Sequence, residues 1–181
     1  MVVAARMSKI LDKADIDSMI RVDHAGELGA TRIYAGQHAV LGARHPASRV
    51  IAHMAAQEEA HLKRFNKLIA ERGVRPSLLS PLWNAAGFAL GAATALMGPR
   101  AAMACTVAVE TEIDRHYQQQ REEIGTQDPE LAQVIADFQA EEVEHRDTAL
   151  AHDAQSAPGY ELLSAVIRLG CRTAIAVAKR I

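Results

Sequence analysis

The sequence predicts an all-α fold: a four-helix bundle with two additional helical segments that associate with a membrane. Proline and glycine divide the 181 residues into segments of helical length, and no stretch alternates apolar and polar residues for long enough to indicate a strand. In addition, one set of polar residues occurs twice along the chain, 83 or 84 residues apart. The length and composition suit a single domain over residues 1–181.

The first helices follow from their end signals. Asp15 or Asp17 can cap a helix that ends near Leu41, and Pro46 begins a second helix, which ends at Arg72 before a glycine. An apolar segment then covers residues 82–97. The later helices are expected over residues 99–124, over 129–152 with Asp128 as the cap, and over 160–181.

The repeated set contains a glutamate, an arginine, a tyrosine and then Glu-x-x-His. Its members are Glu27, Arg32, Tyr34, Glu58 and His61, and then Glu110, Arg115, Tyr117, Glu142 and His145. Positions three apart share a helix face, so each Glu-x-x-His can present a carboxylate and an imidazole to one cation. A solvated helix face is the alternative interpretation, because a single Glu-x-x-His is a weak signal.

The turns test the metal hypothesis independently. If the first hairpin folds near residue 44, Glu27 lies 17 residues before the turn, and Glu58 and His61 lie 14 and 17 after it. At about 1.5 Å per residue, these three side chains reach one height along the bundle. Glu110 and the second Glu-x-x-His match in the same way about a turn near residue 126. The spacing therefore predicts one shared central site.

Four carboxylates and two imidazoles favour iron or manganese, and two iron ions are the first choice. Glu58 and Glu142 are expected to bridge the ions, and Glu27 and Glu110 to be terminal ligands. His61 and His145 are expected to bind one ion each.

Other polar residues near the ligands are expected either to support the ligands or to pack the helices. Gln57 and Glu141 are expected to accept the remote N–H groups of the ligand imidazoles. The repeated Arg32, Arg115, Tyr34 and Tyr117 either surround the ligands or pack the helix faces. His116 either marks an asymmetry between the two ions or is a core histidine. The other histidines are expected to be structural or at the surface: His24, His38, His45, His53 and His152.

Composition excludes several functions. The net charge of −2 indicates no nucleic-acid partner. Cys105 and Cys171 are expected to be buried thiols of a reducing compartment, which excludes a disulfide framework. The apolar run Val2 to Ala5 is too short for a signal peptide, so a bacterial protein facing the cytoplasm, or a trimmed organelle protein, is expected.

Four segments together resemble the demethoxyubiquinone hydroxylase family of ubiquinone biosynthesis. They are Arg21–Glu27, Gln57–His61, Ala104–Glu110 and Glu141–His145. The resemblance runs from about Ile20 to the end and fills every ligand position. It implies a ferritin-like di-iron monooxygenase that inserts one oxygen atom of O₂ into the ring of demethoxyubiquinol, with the ligand roles given above.

The resemblance also implies partners and a location. They are a polyprenylated quinol, a membrane lipid surface and other proteins of ubiquinone synthesis, including a lipid-binding accessory protein. A homo-oligomer is also expected. The expected location is peripheral, on the cytoplasmic face of a bacterial inner membrane, with the matrix face of the mitochondrial inner membrane as the alternative.

Two segments are candidates for membrane contact. Residues 83–97 carry no charge but fall short of the ~20 residues that span a bilayer, so they either dip into a membrane or form a buried helix. In the last helix, Arg168, Arg172 and Lys179 share one sector, and Val166 and Ile167 lie outside it, which indicates a basic amphipathic surface helix. We expect these segments to form a membrane platform and a channel for the substrate's tail.

No Gly-x-Gly-x-x-Gly motif is present, so an external reductase, the quinol itself or loosely bound NADH must supply electrons. Two other functions stay open. A ferritin-like iron-storage or peroxide-scavenging protein would share the ligands, whereas a noncatalytic lipid-binding scaffold would keep only the membrane segments.

Overall fold

The computed structural model describes residues 10–181, and no strand occurs among them, which confirms the all-α prediction. The helices are α1 (Lys13–Leu41), α2 (Pro46–Arg72), α3 (Ser80–Leu96), α4 (Pro99–Ile124), α5 (Pro129–Ala151) and α6 (Tyr160–Ala178). One turn of 3₁₀ helix, which the sequence did not predict, covers Ala154–Ser156. The apolar run Val2 to Ala5 lies outside the described residues.

Most helix ends follow the predicted signals. Pro46 and Pro129 begin helices, and the Asp128 side chain accepts from the Leu131 amide at 3.0 Å. The predicted cap of α1 was wrong. Asp12 is the cap, because its carboxylate accepts from the Asp15 amide while the Asp15 carboxylate accepts from the Asp12 amide. Asp15 therefore completes a capping box three residues inside the helix.

Four helices, α1, α2, α4 and α5, form the bundle, and their inward positions recur every seven residues. Along α2 these positions are Ile51, Glu58 and Phe65, all with 0% exposure. The same interval separates Ile20, Glu27 and Tyr34 on α1, which are also buried. Apolar side chains fill the layers above and below, so the glutamates lie in a polar layer between two apolar clusters.

The uncharged helix α3 packs directly against the backbone of α1. A Cβ atom added to Gly91 would lie 1.9 Å from the carbonyl oxygen of Ile33, and one added to Gly36 would lie 2.2 Å from the carbonyl oxygen of Phe88. Glycine is therefore required at this crossing. The outward face of α3 is apolar and exposed, with Leu82 at 52% and Leu96 at 76%. α3 thus combines a buried face with an exposed one. Within residues 10–181, no helix is both long enough and apolar enough to cross a bilayer.

The last helix lies differently from what its charge pattern predicted. Arg168 Nε donates to Glu112 Oε1 at 2.6 Å, and Arg172 Nη2 donates to the same oxygen at 2.8 Å. The Glu112 side chain, on α4, is fully buried. These arginines therefore bind α6 to the bundle, whereas Leu162, Val166 and Leu169 form its exposed face, at 61% to 73%. The outward surface of α6 therefore carries apolar side chains beside Arg168 and Arg172, which are 40% and 45% exposed, and the basic membrane-facing helix stays a prediction.

Candidate metal centre and the adjoining cavity

Six buried side chains from the four bundle helices meet in one layer. They form two groups, Glu27, Glu58, His61 and Glu142, and Glu58, Glu110, Glu142 and His145. Within each group, one ligand atom of every residue lies within 4.8 Å of the others. The structure thus brings together the six residues predicted as metal ligands. They lie at one height along the bundle, as their distances from the two turns predicted.

The two groups share Glu58 and Glu142. His61 Nδ1 lies 3.2 Å from Glu142 Oε1 and 3.4 Å from Glu27 Oε2. His145 Nδ1 lies 3.0 Å from Glu142 Oε2 and 3.2 Å from Glu58 Oε1. Glu58 and Glu142 thus belong to both groups, whereas Glu27 and Glu110 belong to one group each.

Burial determines the electrostatics of this layer. It raises the pKa of Glu58 and Glu110 well above the usual 4.5, and the charge of Glu142 adds to the effect. Burial opposes protonation of His61, but its interactions with the nearby carboxylates of Glu142 and Glu27 raise its pKa to about 10. Burial also opposes ionisation of Glu142, whose pKa is lowered by its interactions with His145 and His61. The raised pKa values of Glu58, Glu110 and His61 all favour bound protons in this layer.

The donor set fits a pair of divalent metal ions. Both carboxylate oxygens of Glu58, together with Glu27 Oε2 and His61 Nδ1, have no hydrogen-bond partner within residues 10–181. Such buried polar atoms are costly unless a partner satisfies them. Carboxylates and imidazoles in this number suit iron or manganese.

The remote imidazole nitrogens point to the seam between α2 and α5. His61 Nε2 lies 3.2 Å from Glu141 Oε2, and His145 Nε2 lies 3.1 Å from Gln57 Oε1. Gln57 Nε2 in turn donates to Glu141 Oε2 at 3.0 Å. Gln57 and Glu141 therefore link both imidazoles, which leaves each Nδ1 atom directed at the carboxylates. Phe138, which the motifs did not indicate, stacks on His61 with ring centroids 3.8 Å apart.

The repeated tyrosines and arginines separate into two roles. The Tyr34 hydroxyl donates to Glu110 Oε1 at 3.1 Å, and the Tyr117 hydroxyl donates to Glu27 Oε1. Each tyrosine thus holds the glutamate of the other half of the repeat. The arginines turn away: Arg115 pairs with Glu112, and Arg32 lies over the Phe88 ring. The tyrosines contact the ligands, and the arginines pack elsewhere.

A buried polar cluster, which the sequence did not predict, surrounds His116. His116 Nε2 lies 3.3 Å from Asp23 Oδ1, and Gln120 Nε2 donates to the same oxygen at 2.8 Å. Asp23 lies one helical turn before Glu27, and this spacing was the sequence signal that could have indicated the cluster. His116 thus has a partner in the core. Among the histidines expected to be structural, His24 is buried and its Nε2 lies 3.0 Å from Asn66 Oδ1.

A cavity of about 410 Å³ lies between α1, α3, α4 and α6. Its lining consists of apolar side chains, the Trp83 indole and the Cys171 thiol, whose pKa burial raises to about 12. Two lining residues, Gly26 and Val109, directly precede Glu27 and Glu110 in the chain, although none of the six clustered carboxylate and imidazole residues lines the cavity. We refer to this part of the lining as the inner end, and to the part at Val166, which is 61% exposed, as the outer end.

Comparison with known proteins gives consistent matches. Residues 14–178 match the family model described as "Ubiquinone biosynthesis protein COQ7". The chain is 55% identical over 174 residues to "NADPH-dependent 3-demethoxyubiquinone 3-hydroxylase, mitochondrial" of Mus musculus, covering 94% of this chain and 80% of that protein. It is 52% identical over 166 residues to "3-demethoxyubiquinol 3-hydroxylase" of Rhodospirillum rubrum, covering 92% and 78%. For "5-demethoxyubiquinone hydroxylase, mitochondrial" of Saccharomyces cerevisiae, the identity is 47% over 184 residues, covering 93% and 79%.

Proposed function

This chain belongs to the COQ7 family of ubiquinone biosynthesis proteins, and we propose that it is a di-iron monooxygenase that hydroxylates the ring of demethoxyubiquinol with O₂. The observation that supports this activity is the buried layer of four carboxylates and two imidazoles. Glu27, Glu58, His61, Glu110, Glu142 and His145 would hold the two metal ions. When bound, iron supplies the redox chemistry that activates O₂.

The surrounding residues position the ligands. The hydroxyl groups of Tyr34 and Tyr117 hold one oxygen each of Glu110 and Glu27, which orients the two terminal carboxylates. Gln57 and Glu141 accept the remote N–H groups of the imidazoles, so that each Nδ1 atom is free of a proton on the side of the ions. These four residues would support metal binding by holding the ligand side chains in place.

The cavity suits the tail of the substrate. A polyprenyl chain presents branched hydrocarbon and no hydrogen-bonding group, as the lining of the cavity does. The polar ring would find no hydrogen-bond partner there apart from the Cys171 thiol. We therefore place the tail in the cavity and the ring beyond its inner end, beside Glu27 and Glu110. Seating the tail in this way would hold the ring next to the ions.

The reaction balances as follows. A ring C–H bond becomes C–OH, the second oxygen atom of O₂ leaves as water, and two electrons and two protons are consumed. The name of the mouse relative includes "NADPH-dependent", which favours a nicotinamide nucleotide as the source of electrons. Delivery by a reductase or by the quinol itself stays open.

We also propose that the protein binds peripherally to a membrane. Exposed apolar side chains flank the cavity on both sides, with Leu82 on α3 and Val166 and Leu169 on α6. A lipid surface against this face would cover them and deliver a tail directly to the cavity. The cytoplasmic face of a bacterial inner membrane and the matrix face of the mitochondrial inner membrane both fit, because the relatives include bacterial and mitochondrial proteins.

Metal loading and isotope incorporation test the activity. The protein is loaded with Fe(II) without air, its iron is counted, and it is given a reduced demethoxyubiquinol and ¹⁸O₂. We expect two iron ions per chain and one ¹⁸O atom in the product. Glu142→Ala should lose both, whereas Glu144→Ala, on the exposed face of α5, should lose neither. Loading far above two ions without hydroxylation would indicate iron storage instead, and absence of bound metal would indicate a noncatalytic scaffold.

A further inference from the structure

The glycines inside the helices fall into two classes. Gly36, Gly87 and Gly91 are required by packing, because an added Cβ atom would lie within 2.7 Å of a backbone atom of the facing helix. Gly29 and Gly170 differ, because an added Cβ atom would meet no atom of residues 10–181 within 4 Å. At Gly26, within the same residues, it would meet only Ile113 Cδ1, at an ordinary 3.9 Å. Neither close packing nor a positive φ requires glycine at these three positions.

Glycine inside a helix lowers stability relative to alanine, so its presence without a packing reason needs another cause. Gly26, Gly29 and Gly170 share one property: all three line the cavity. A methyl group added at any of the three positions would enter open space or ordinary contact beside the other lining residues. The glycines therefore leave room along the lining at the expense of helix stability.

The three positions lie on two walls of the cavity, α1 and α6. Gly26 adjoins Glu27 at the inner end, and Gly29 lies one turn further along α1. Gly170 is exposed and lies on α6, one turn from Val166 at the mouth. An isoprenoid chain carries a methyl branch on every fourth carbon of its backbone, so it needs this width along its whole length.

We propose that Gly26, Gly29 and Gly170 are specificity-determining residues, which keep the cavity wide enough for a branched isoprenoid tail. This inference rests on the proposed function. It predicts that a larger side chain at Gly170 excludes tails long enough to reach the mouth, whereas one at Gly26 acts on the first isoprene unit. The selectivity for tail length should therefore depend on the position that is changed.

Substrates of different tail length test the inference in the iron-loaded protein. The kcat/KM values are measured for demethoxyubiquinols with no tail, one isoprene unit and three units. For Gly170→Leu, the ratio of kcat/KM for three units to that for no tail should fall about tenfold or more. For Gly26→Ala, the ratio of kcat/KM for one unit to that for no tail should fall as well. Ala140→Leu, on the exposed face of α5, is the control, and its ratios should match those of the wild type.

Binding to the metal-free protein gives a readout that does not depend on activity. Trp83 is the only tryptophan of the chain and lines the cavity, so its fluorescence reports on occupancy. Titration with farnesol, a three-unit isoprenol, should change the emission of the wild type, and Gly29→Leu should weaken the apparent affinity about tenfold. The midpoint of thermal unfolding, measured in parallel, should stay at or above the wild-type value.

The outcomes separate the inference from the proposed function. Unchanged ratios in Gly170→Leu, an equal loss with all substrates including the tail-less one, or undiminished farnesol binding by Gly29→Leu would overturn the role of the glycines. If the wild type binds farnesol and Gly29→Leu does not, but no substrate is hydroxylated, the inference about the cavity stands and the proposed activity fails.

Discussion

Replacing Glu58 by glutamine should stabilise the metal-free protein while removing its ability to bind metal. Glu58 has 0% exposure, and neither of its carboxylate oxygens has a hydrogen-bond partner among the described residues. Burial raises the pKa of this carboxyl well above its usual 4.5, and the charge of Glu142 adds to the effect. Glutamine has nearly the same shape and no charge, so it removes the cost of keeping this group in the layer.

The size of the gain follows from proton linkage. A carboxyl group with a raised pKa stabilises the fold below its unfolded pKa, and this contribution is lost as the pH rises through the folded pKa. In the unfolded chain this group has its usual pKa of 4.5, so at pH 7, about 2.5 pH units higher, it is ionised. At about 1.4 kcal/mol per unit, the cost of folding is bounded at about 3.5 kcal/mol. We expect Glu58→Gln to raise the free energy of unfolding by about 1–3 kcal/mol at pH 7.

Urea denaturation of the metal-free protein measures this gain, with Glu59→Gln as the matched control at the exposed neighbouring position. The advantage of Glu58→Gln should shrink as the pH falls towards 4.5. Adding Fe(II) should reverse the order, because the wild type gains stability from binding and the variant does not. A metal-free Glu58→Gln protein that is less stable than the wild type at pH 7 would refute the reasoning.

Three further predictions concern the surroundings of the site. Glu112→Gln should lower the free energy of unfolding by about 1–2 kcal/mol at pH 7, an estimate reduced for the half-exposed arginines. Burial opposes ionisation of Glu112, but Arg172 and Arg168 lower its pKa to about 2. The difference in the free energy of unfolding between Glu112→Gln and the wild type, measured by urea denaturation, should therefore vanish as the pH falls from 4.5 towards 2. Gly91→Ala should cost about 1–3 kcal/mol in the same assay, because its Cβ atom would meet the Ile33 backbone at 1.9 Å; no loss would contradict the close crossing of α1 and α3. Glu141→Ala should lower metal occupancy about tenfold or more, measured as iron per chain, and occupancy equal to that of Glu144→Ala would remove its supporting role.

Much of the site could be predicted because its residues lie on regular helices. A helix fixes both the rise per residue and the direction of each side chain, so hairpin geometry places Glu27 beside His61 without any knowledge of packing. The capping and turn signals at Pro46, Pro129 and Asp128 located the hairpins that this argument needs. The family predicted from four short segments is confirmed by the matches over residues 14–178.

Features that depend on how helices pack against each other were beyond the sequence pattern. The charge pattern of α6 alone does not show that a buried acid on α4, Glu112, takes up Arg168 and Arg172. The cavity arises from the spacing of four helices, which no local signal encodes. The two halves of the repeat also differ where Asp23 contacts His116, because the residues aligned with them are Thr106 and Ile33. The asymmetry becomes visible only once these side chains meet.

Three features that lower stability or solubility occur in the metal centre, in the cavity and on the surface of α6, and together they decide between the functions considered. Buried carboxylates with raised pKa values, such as Glu58, weaken the metal-free fold. Helix-interior glycines such as Gly29 lower helix stability. Exposed apolar side chains such as Val166 reduce solubility. An iron-storage protein needs the carboxylates but no apolar cavity, and a lipid-binding scaffold needs the cavity but no carboxylates. A metal enzyme with a lipid-borne substrate has a use for all three, so their occurrence at one site favours the hydroxylase.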